Sequence, residues 1–166
     1  MFNRWLFGVV VVISFIAIGI QISSHNGAAV MIDEDIAQNT TWTSIGNPWI
    51  IQRSIYIRDG AVLTIEPGVE VKLNGHFSIN CLGSGKIVAI GRDVFPVKFN
   101  SMNPALYNYT HIDTGVGGII RYCTFSNGDT SLIVDSDAII ENNNFTNSQI
   151  GSLVIGDDVE IINCIL

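Results

Sequence analysis

Leu73, Phe99, Phe125, Phe145 and Leu166 stand 26, 26, 20 and 21 residues apart. The positions two residues earlier form a second column, Val71, Val97, Cys123, Asn143 and Cys164, and the positions one residue later are polar in Asn74, Asn100, Ser126 and Thr146. A unit of this length with strand-like alternation inside it is the mark of a solenoid, in which equivalent positions of successive coils stack at the inter-strand spacing of about 4.8 Å. One coil buries about five apolar side chains, each contributing roughly 1.5–3 kcal/mol of transfer free energy. That is too little to offset the ordering entropy of a coil alone, so neighbours must stack into one core. The pattern predicts an all-β chain folded as a right-handed parallel β-helix of about four to five coils.

The text within a coil supports strands joined by tight corners. Ile55-Tyr56-Ile57 runs into the reversal signal Asp59-Gly60, Val62-Leu63-Thr64-Ile65 into the corner Glu66-Pro67-Gly68, and Val69, Val71 and Leu73 alternate with Glu70 and Lys72. The pattern recurs in Ile87-Val88-Ala89-Ile90, the corner at Gly91-Arg92-Asp93, and Val97-Lys98-Phe99. The closing repeat is the clearest: Ser131-Leu132-Ile133-Val134 maps onto Ser152-Leu153-Val154-Ile155 at an offset of 21, which also carries Asp137 onto Asp158 and Asn142 onto Asn163. Asn142 and Asn163 are expected to form an asparagine ladder at a corner, interrupted one coil earlier by Tyr122. No window after the N-terminal block carries helical apolar spacing over ten or more residues.

That block, Trp5 to Ile22, reads WLFGVVVVISFIAIGIQI without a charge and follows Arg4. It is expected to be a hydrophobic helix, either an uncleaved anchor that places residues 5–22 in a membrane or a cleaved secretory signal. Residues 1–28 are therefore assigned to the signal or anchor, 29–40 to a short acidic spacer, and 41–166 to the β-helix, with Trp42 to Ile51 available to plug its first coil. The chain stops on Ile165-Leu166 in mid-strand, which reads as C-terminal truncation. An extracellular or cell-surface location follows, secreted or membrane-anchored. With 15 acidic against 8 basic residues the formal charge is −7, and Lys72, Lys86 and Lys98 are scattered, so no nucleic-acid footprint exists. Cys123 and Cys164 share a column two coils apart, too far for a disulfide, and Cys81 lies elsewhere; three free thiols are expected.

The segment Asn39-Thr40-Thr41-Trp42-Thr43, with Asn47-Pro48-Trp49-Ile50-Ile51 and Leu63-Thr64-Ile65-Glu66-Pro67-Gly68-Val69-Glu70-Val71-Lys72, resembles the opening coils of secreted right-handed parallel β-helix proteins of the pectate-lyase-like superfamily. Pro96-Val97-Lys98-Phe99-Asn100-Ser101 is similar to their following coil. The resemblance covers roughly residues 39 to 101. It implies the β-helix fold and a non-catalytic cell-surface protein with a structural or adhesive role. It is nearly silent on chemistry, because sites are grafted onto folds.

Candidate chemistry is sparse. Asp137 and Asp158 fall in register on a corner, with Asp135 and Asp157 nearby; they read as turn formers, with a shared calcium ion as the ligand-binding alternative. No other cofactor is expected. The sequons at Asn39, Asn108 and Asn144 are possible glycan acceptors. His25, His76 and His111 lack metal-ligand spacing, and Ser84 in Gly83-Ser84-Gly85 lacks the surroundings of a nucleophile elbow. A lyase needs a basic residue over its cleft, yet Arg121 is the only arginine after Arg92 and no lysine follows Lys98. The alternatives are therefore an N-terminal fragment of a polysaccharide lyase or glycoside hydrolase, or a carbohydrate-binding module. The latter is weakly served by the irregular Tyr107, Tyr109 and Tyr122. Expected partners are the membrane, polysaccharide or neighbouring surface proteins.

Overall fold

Alternating apolar residues fold into short parallel strands that wind three to a turn. The computed structural model describes residues 29–102, 110–126, 130–146 and 158–165. The strands are β1 (Val30–Ile32), β2 (Thr40–Trp42), β3 (Trp49–Ile51), β4 (Ile55–Ile57), β5 (Val62–Ile65), β6 (Glu70–Leu73), β7 (Ile79–Cys81) and β8 (Lys86–Ile90). They continue as β9 (Val97–Ser101), β10 (Thr110–Asp113), β11 (Ile119–Arg121), β12 (Cys123–Ser126), β13 (Thr130–Ile133), β14 (Ile139–Glu141), β15 (Asn144–Thr146) and β16 (Glu160–Ile162). They lie in three parallel sheets: a first face of β1-β3-β6-β9-β12-β15, a second of β4-β7-β10-β13, and a third of β2-β5-β8-β11-β14-β16. Ile36 bridges to Ile57 and supplies the second-face position of the first turn. Five turns result, from β1–Ile36–β2 to β12–β13–β14, and β15 and β16 belong to a sixth. The all-β solenoid expected from the repeat is therefore the fold.

Inward positions make one continuous core. Ile55, Ile79, Ile112 and Leu132 line the second face, Leu63, Ile87, Ile120 and Ile140 the third, and Phe99, Phe125 and Phe145 the first; all are buried. The three phenylalanine rings stack, with centroids 5.0 Å apart at 11° and then 4.7 Å apart at 5°. Above them the register departs from the 26-residue spacing: Val71, not Leu73, faces Phe99, and Leu73 faces Ser101. The turn is two residues longer than that spacing requires because Gly91 to Pro96 form a small hairpin at the corner, with reciprocal bonds between Arg92 and Phe95 of 3.0 and 2.9 Å. A slip of two preserves the inside–outside parity of the strand, so the alternation survives.

Two other expectations change. The acidic segment 29–40 takes part in the stack: β1 pairs with β3, and Ile36 is buried. Trp42 does not plug an end; it lies in the core and stacks on Trp49 with centroids 5.0 Å apart. The expected hydrophobic helix lies outside the described residues, among which no helix is long and apolar enough to cross a membrane. Cys81, Cys123 and Cys164 are free thiols.

Candidate functional site

Two surfaces gather polar side chains. The first is the outer side of the second face, where residues alternate away from the isoleucine core. Asn80 of β7 and His111 and Asp113 of β10 project there, with Asp135 just after β13. His111 Nε2 lies 2.8 Å from Asn80 Oδ1, so this nitrogen carries the proton. Asp113 is held on both oxygens: Oδ2 accepts the Cys81 amide at 3.1 Å and Oδ1 the Gly115 amide at 2.9 Å. The Asp135 amide donates to the buried Thr114 hydroxyl at 3.1 Å.

Electrostatics follow from that packing. Burial raises the Asp135 carboxyl above its ordinary value, and the charge of Asp113 and a hydrogen bond with it add to the effect. Burial also lowers the His111 pKa, partly opposed by Asp113. Burial, then Asp113 and Asp135, push the Cys81 thiol up, and Cys81 Sγ donates to the Asp113 carbonyl at 3.2 Å. That thiol is a protonated filler rather than a nucleophile.

The second surface is a groove of about 350 Å³ along the corner between the third and first faces. Here the chain changes sheet through one residue per turn, and that residue is left-handed: Tyr122 (φ 48°), Asn142 (φ 54°) and Asn163 (φ 50°). Asparagine tolerates this region better than most residues. The groove is lined by these three, by Thr124 and Asn144 of the adjoining strands, and by Arg92 and Asp93 of the corner hairpin. Beneath it Asn143 is buried, its Oδ1 accepting the Cys123 amide at 2.8 Å and its Nδ2 donating to the Ile120 carbonyl at 2.8 Å. The Asn142 amide donates to Glu141 Oε1 at 3.3 Å. The inter-turn bonding expected of an Asn142–Asn163 ladder is thus carried by its inward neighbour Asn143.

The residues singled out in the sequence fall in several places. Asp137 (φ 57°) and Asp158 (φ 70°) occupy equivalent left-handed corner positions, following the Ile139–Glu160 register, and Gly117 (φ 67°) takes the same place one turn earlier. The Gly–Asp–Asp series gives a backbone reason for both aspartates. Among the described residues no set of three His, Cys, Asp or Glu side chains could hold a metal ion. Asn39 is exposed, with Oδ1 accepting the Val62 amide at 3.0 Å. Asn144 is exposed, with Oδ1 accepting from Thr146 Oγ1 at 3.4 Å. Asn108 lies outside the described residues, as do Asp157, Tyr107 and Tyr109. The sequence reading passed over Asp113 and Asn80. The signal that points to Asp113 is its distance from Asp135, 22 residues, close to the repeat.

Comparison with protein-family models, with curated proteins and with solved structures finds no match.

Proposed function

We propose that the chain is a non-catalytic structural or adhesive protein of the cell surface, exported through its apolar residues 5–22 and held there or released after cleavage. The observation that carries this reading is the use the fold makes of its polar side chains. Asp113, Asn143, Asn47, Asp59 and Thr114 spend their oxygens on backbone amides of neighbouring turns or corners, Asn47 taking the Glu70 amide at 2.8 Å and Asp59 the Ser84 amide at 2.8 Å. Such groups tie each turn to its neighbours and hold the stack rigid. The net charge of −7 keeps its outer surface hydrated. Fractionation of cells producing the full chain tests the reading: the protein is expected in the envelope or medium, and accumulation in the cytoplasm overturns it.

One observation favours a second reading. The Asp135 carboxyl, whose pKa is raised by burial and then by the charge of Asp113, lies with Asp113 and His111 on the outer side of the second face. A carboxyl whose pKa is raised by its surroundings, with a second carboxyl near it, is what a glycoside hydrolase uses as its general acid. Release of reducing or unsaturated ends from polysaccharides by the full chain, abolished by Asp113→Asn, would establish it in place of the structural reading.

A further inference from the structure

We propose that the groove at the corner between the third and first faces binds a linear neutral oligosaccharide. The inference goes beyond the structural reading and does not depend on where the protein resides. It begins with hydrogen-bonding capacity. The Tyr122 hydroxyl, the Asn163 amide, the Arg92 guanidinium and the Asp93 carboxylate make no hydrogen bond or ion pair with another described residue. They converge with Asn142 and Asn144 on one groove of about 350 Å³.

The chemistry of these groups selects the ligand. Amides and a phenol donate and accept together, as sugar hydroxyls do. An anionic ligand needs donors alone, and the single guanidinium of Arg92 stands beside the opposite charge of Asp93. Tyr122 is 38% exposed and presents a ring against which the C–H face of a pyranose can lie. Pro96, of the hairpin that carries Arg92 and Asp93, adds an apolar wall to the groove.

Periodicity supplies the shape. The hairpin, Tyr122, Asn142 and Asn163 occupy the same corner on four successive turns. They are therefore spaced by about 4.8 Å, and three steps cover roughly 14 Å. A pyranose ring is of similar length to one step. A polymer of such rings meets a comparable polar group at each unit, which neither a globular partner nor a compact metabolite would do. The site is also preorganised, since each corner is fixed by main-chain bonds, Tyr122 N–H to the Glu141 carbonyl at 3.1 Å and Asn142 N–H to the Ile162 carbonyl at 2.9 Å.

The test is isothermal titration of the full chain, in a detergent without a sugar headgroup, with cellohexaose, mannohexaose and xylohexaose as neutral probes and hexagalacturonate as the anionic one. At least one neutral hexasaccharide is expected to bind with a millimolar or lower Kd, and more tightly than hexagalacturonate. Tyr122→Asn removes the ring, keeps the left-handed corner, and should weaken binding about tenfold. Arg92→Gln, on the hairpin, should weaken it as well. Tyr56→Ser, on the outer side of the second face, should leave it unchanged. No binding by any neutral hexasaccharide, preference for hexagalacturonate, or equal affinity in Tyr122→Asn with its thermal unfolding intact overturns the proposal.

Discussion

The Asn143 side chain joins two turns of the solenoid, accepting the Cys123 amide and donating to the Ile120 carbonyl, each at 2.8 Å, with almost no exposure to water. The two groups it satisfies belong to the corner where the third face ends and the first begins. Ile120 is the middle residue of β11 and Cys123 the first of β12, so this one side chain ties together the two strands that flank the corner. A buried backbone group left unpaired costs about 1–3 kcal/mol. Asn143→Ala is therefore expected to destabilise the protein by about 2–4 kcal/mol in urea denaturation. Asn143→Asp should be nearly as costly at neutral pH, because it replaces the donor facing Ile120 with a second acceptor. A loss below about 0.5 kcal/mol for both would show that water or relaxation replaces these bonds.

The phenylalanine column is the second test of stacking as the source of stability. Phe125 is sandwiched between Phe99 and Phe145, with centroids 5.0 and 4.7 Å away. Phe125→Ala opens a cavity between two rings and should cost about 3–5 kcal/mol, whereas Phe125→Leu should cost about 1 kcal/mol. Chemical denaturation of both variants checks the order as well as the size. Equal losses would mean that ring stacking, rather than filled volume, dominates.

Much of this architecture is legible in the sequence because a strand's burial has a period of two and a coil's has a fixed length. Phe99, Phe125 and Phe145 stack as their spacing predicts, and the column Cys123, Asn143, Cys164 is real: Asn143 Nδ2 lies 3.9 Å from Cys164 Sγ. Leu73 was legible as an inward residue but not as to its partner, because the hairpin at Gly91 to Pro96 lengthens one turn without changing parity. Residues 29–40 look like a spacer because three of them are acidic, yet Ile32 and Ile36 suffice to hold them on the stack. The outer surfaces were far less legible. His111 meets Asn80, and Asp113 the Cys81 amide, because β7 and β10 pair across a long stretch of chain, and nothing in the local text of these residues marks it. Tyr122 read as an interruption of an asparagine series, whereas its left-handed backbone makes it a full member of the corner.

The left-handed corners yield a prediction that also separates a turn from a calcium site. Asp137 and Asn142 hold φ values of 57° and 54°. Alanine in this region costs about 1–2 kcal/mol, while glycine enters it freely. Asn142→Ala and Asp137→Ala should each lower stability by about 1 kcal/mol, and the glycine variants should remain within about 0.5 kcal/mol of the parent. If Asp137 serves the backbone alone, millimolar calcium chloride leaves the thermal midpoint of the parent unchanged. A calcium-dependent rise that disappears in Asp137→Gly would instead establish an ion shared with Asp158.

Asp135 offers a prediction whose sign is fixed by its surroundings. Burial first, then Asp113, raises its carboxyl above the ordinary value of 3.8, so the folded protein holds this proton more tightly than the unfolded chain does. The unfavourable charge is absent below 3.8, appears as pH rises from there through the elevated folded value, and is complete above it. Asp135→Asn removes that charge while its amide can still donate to Asp113. The variant should therefore melt at a higher temperature than the parent at neutral pH, and the gap should close on acidification toward about pH 3, where both side chains are uncharged. His111, whose pKa burial lowers, titrates in both proteins and largely cancels in the difference. Thermal midpoints of the pair across this range decide the matter. A lower midpoint for Asp135→Asn at neutral pH would mean that the ionised carboxylate is stabilised there, and that the second face carries a cation-binding or catalytic demand which the packing of Asp113 alone does not explain.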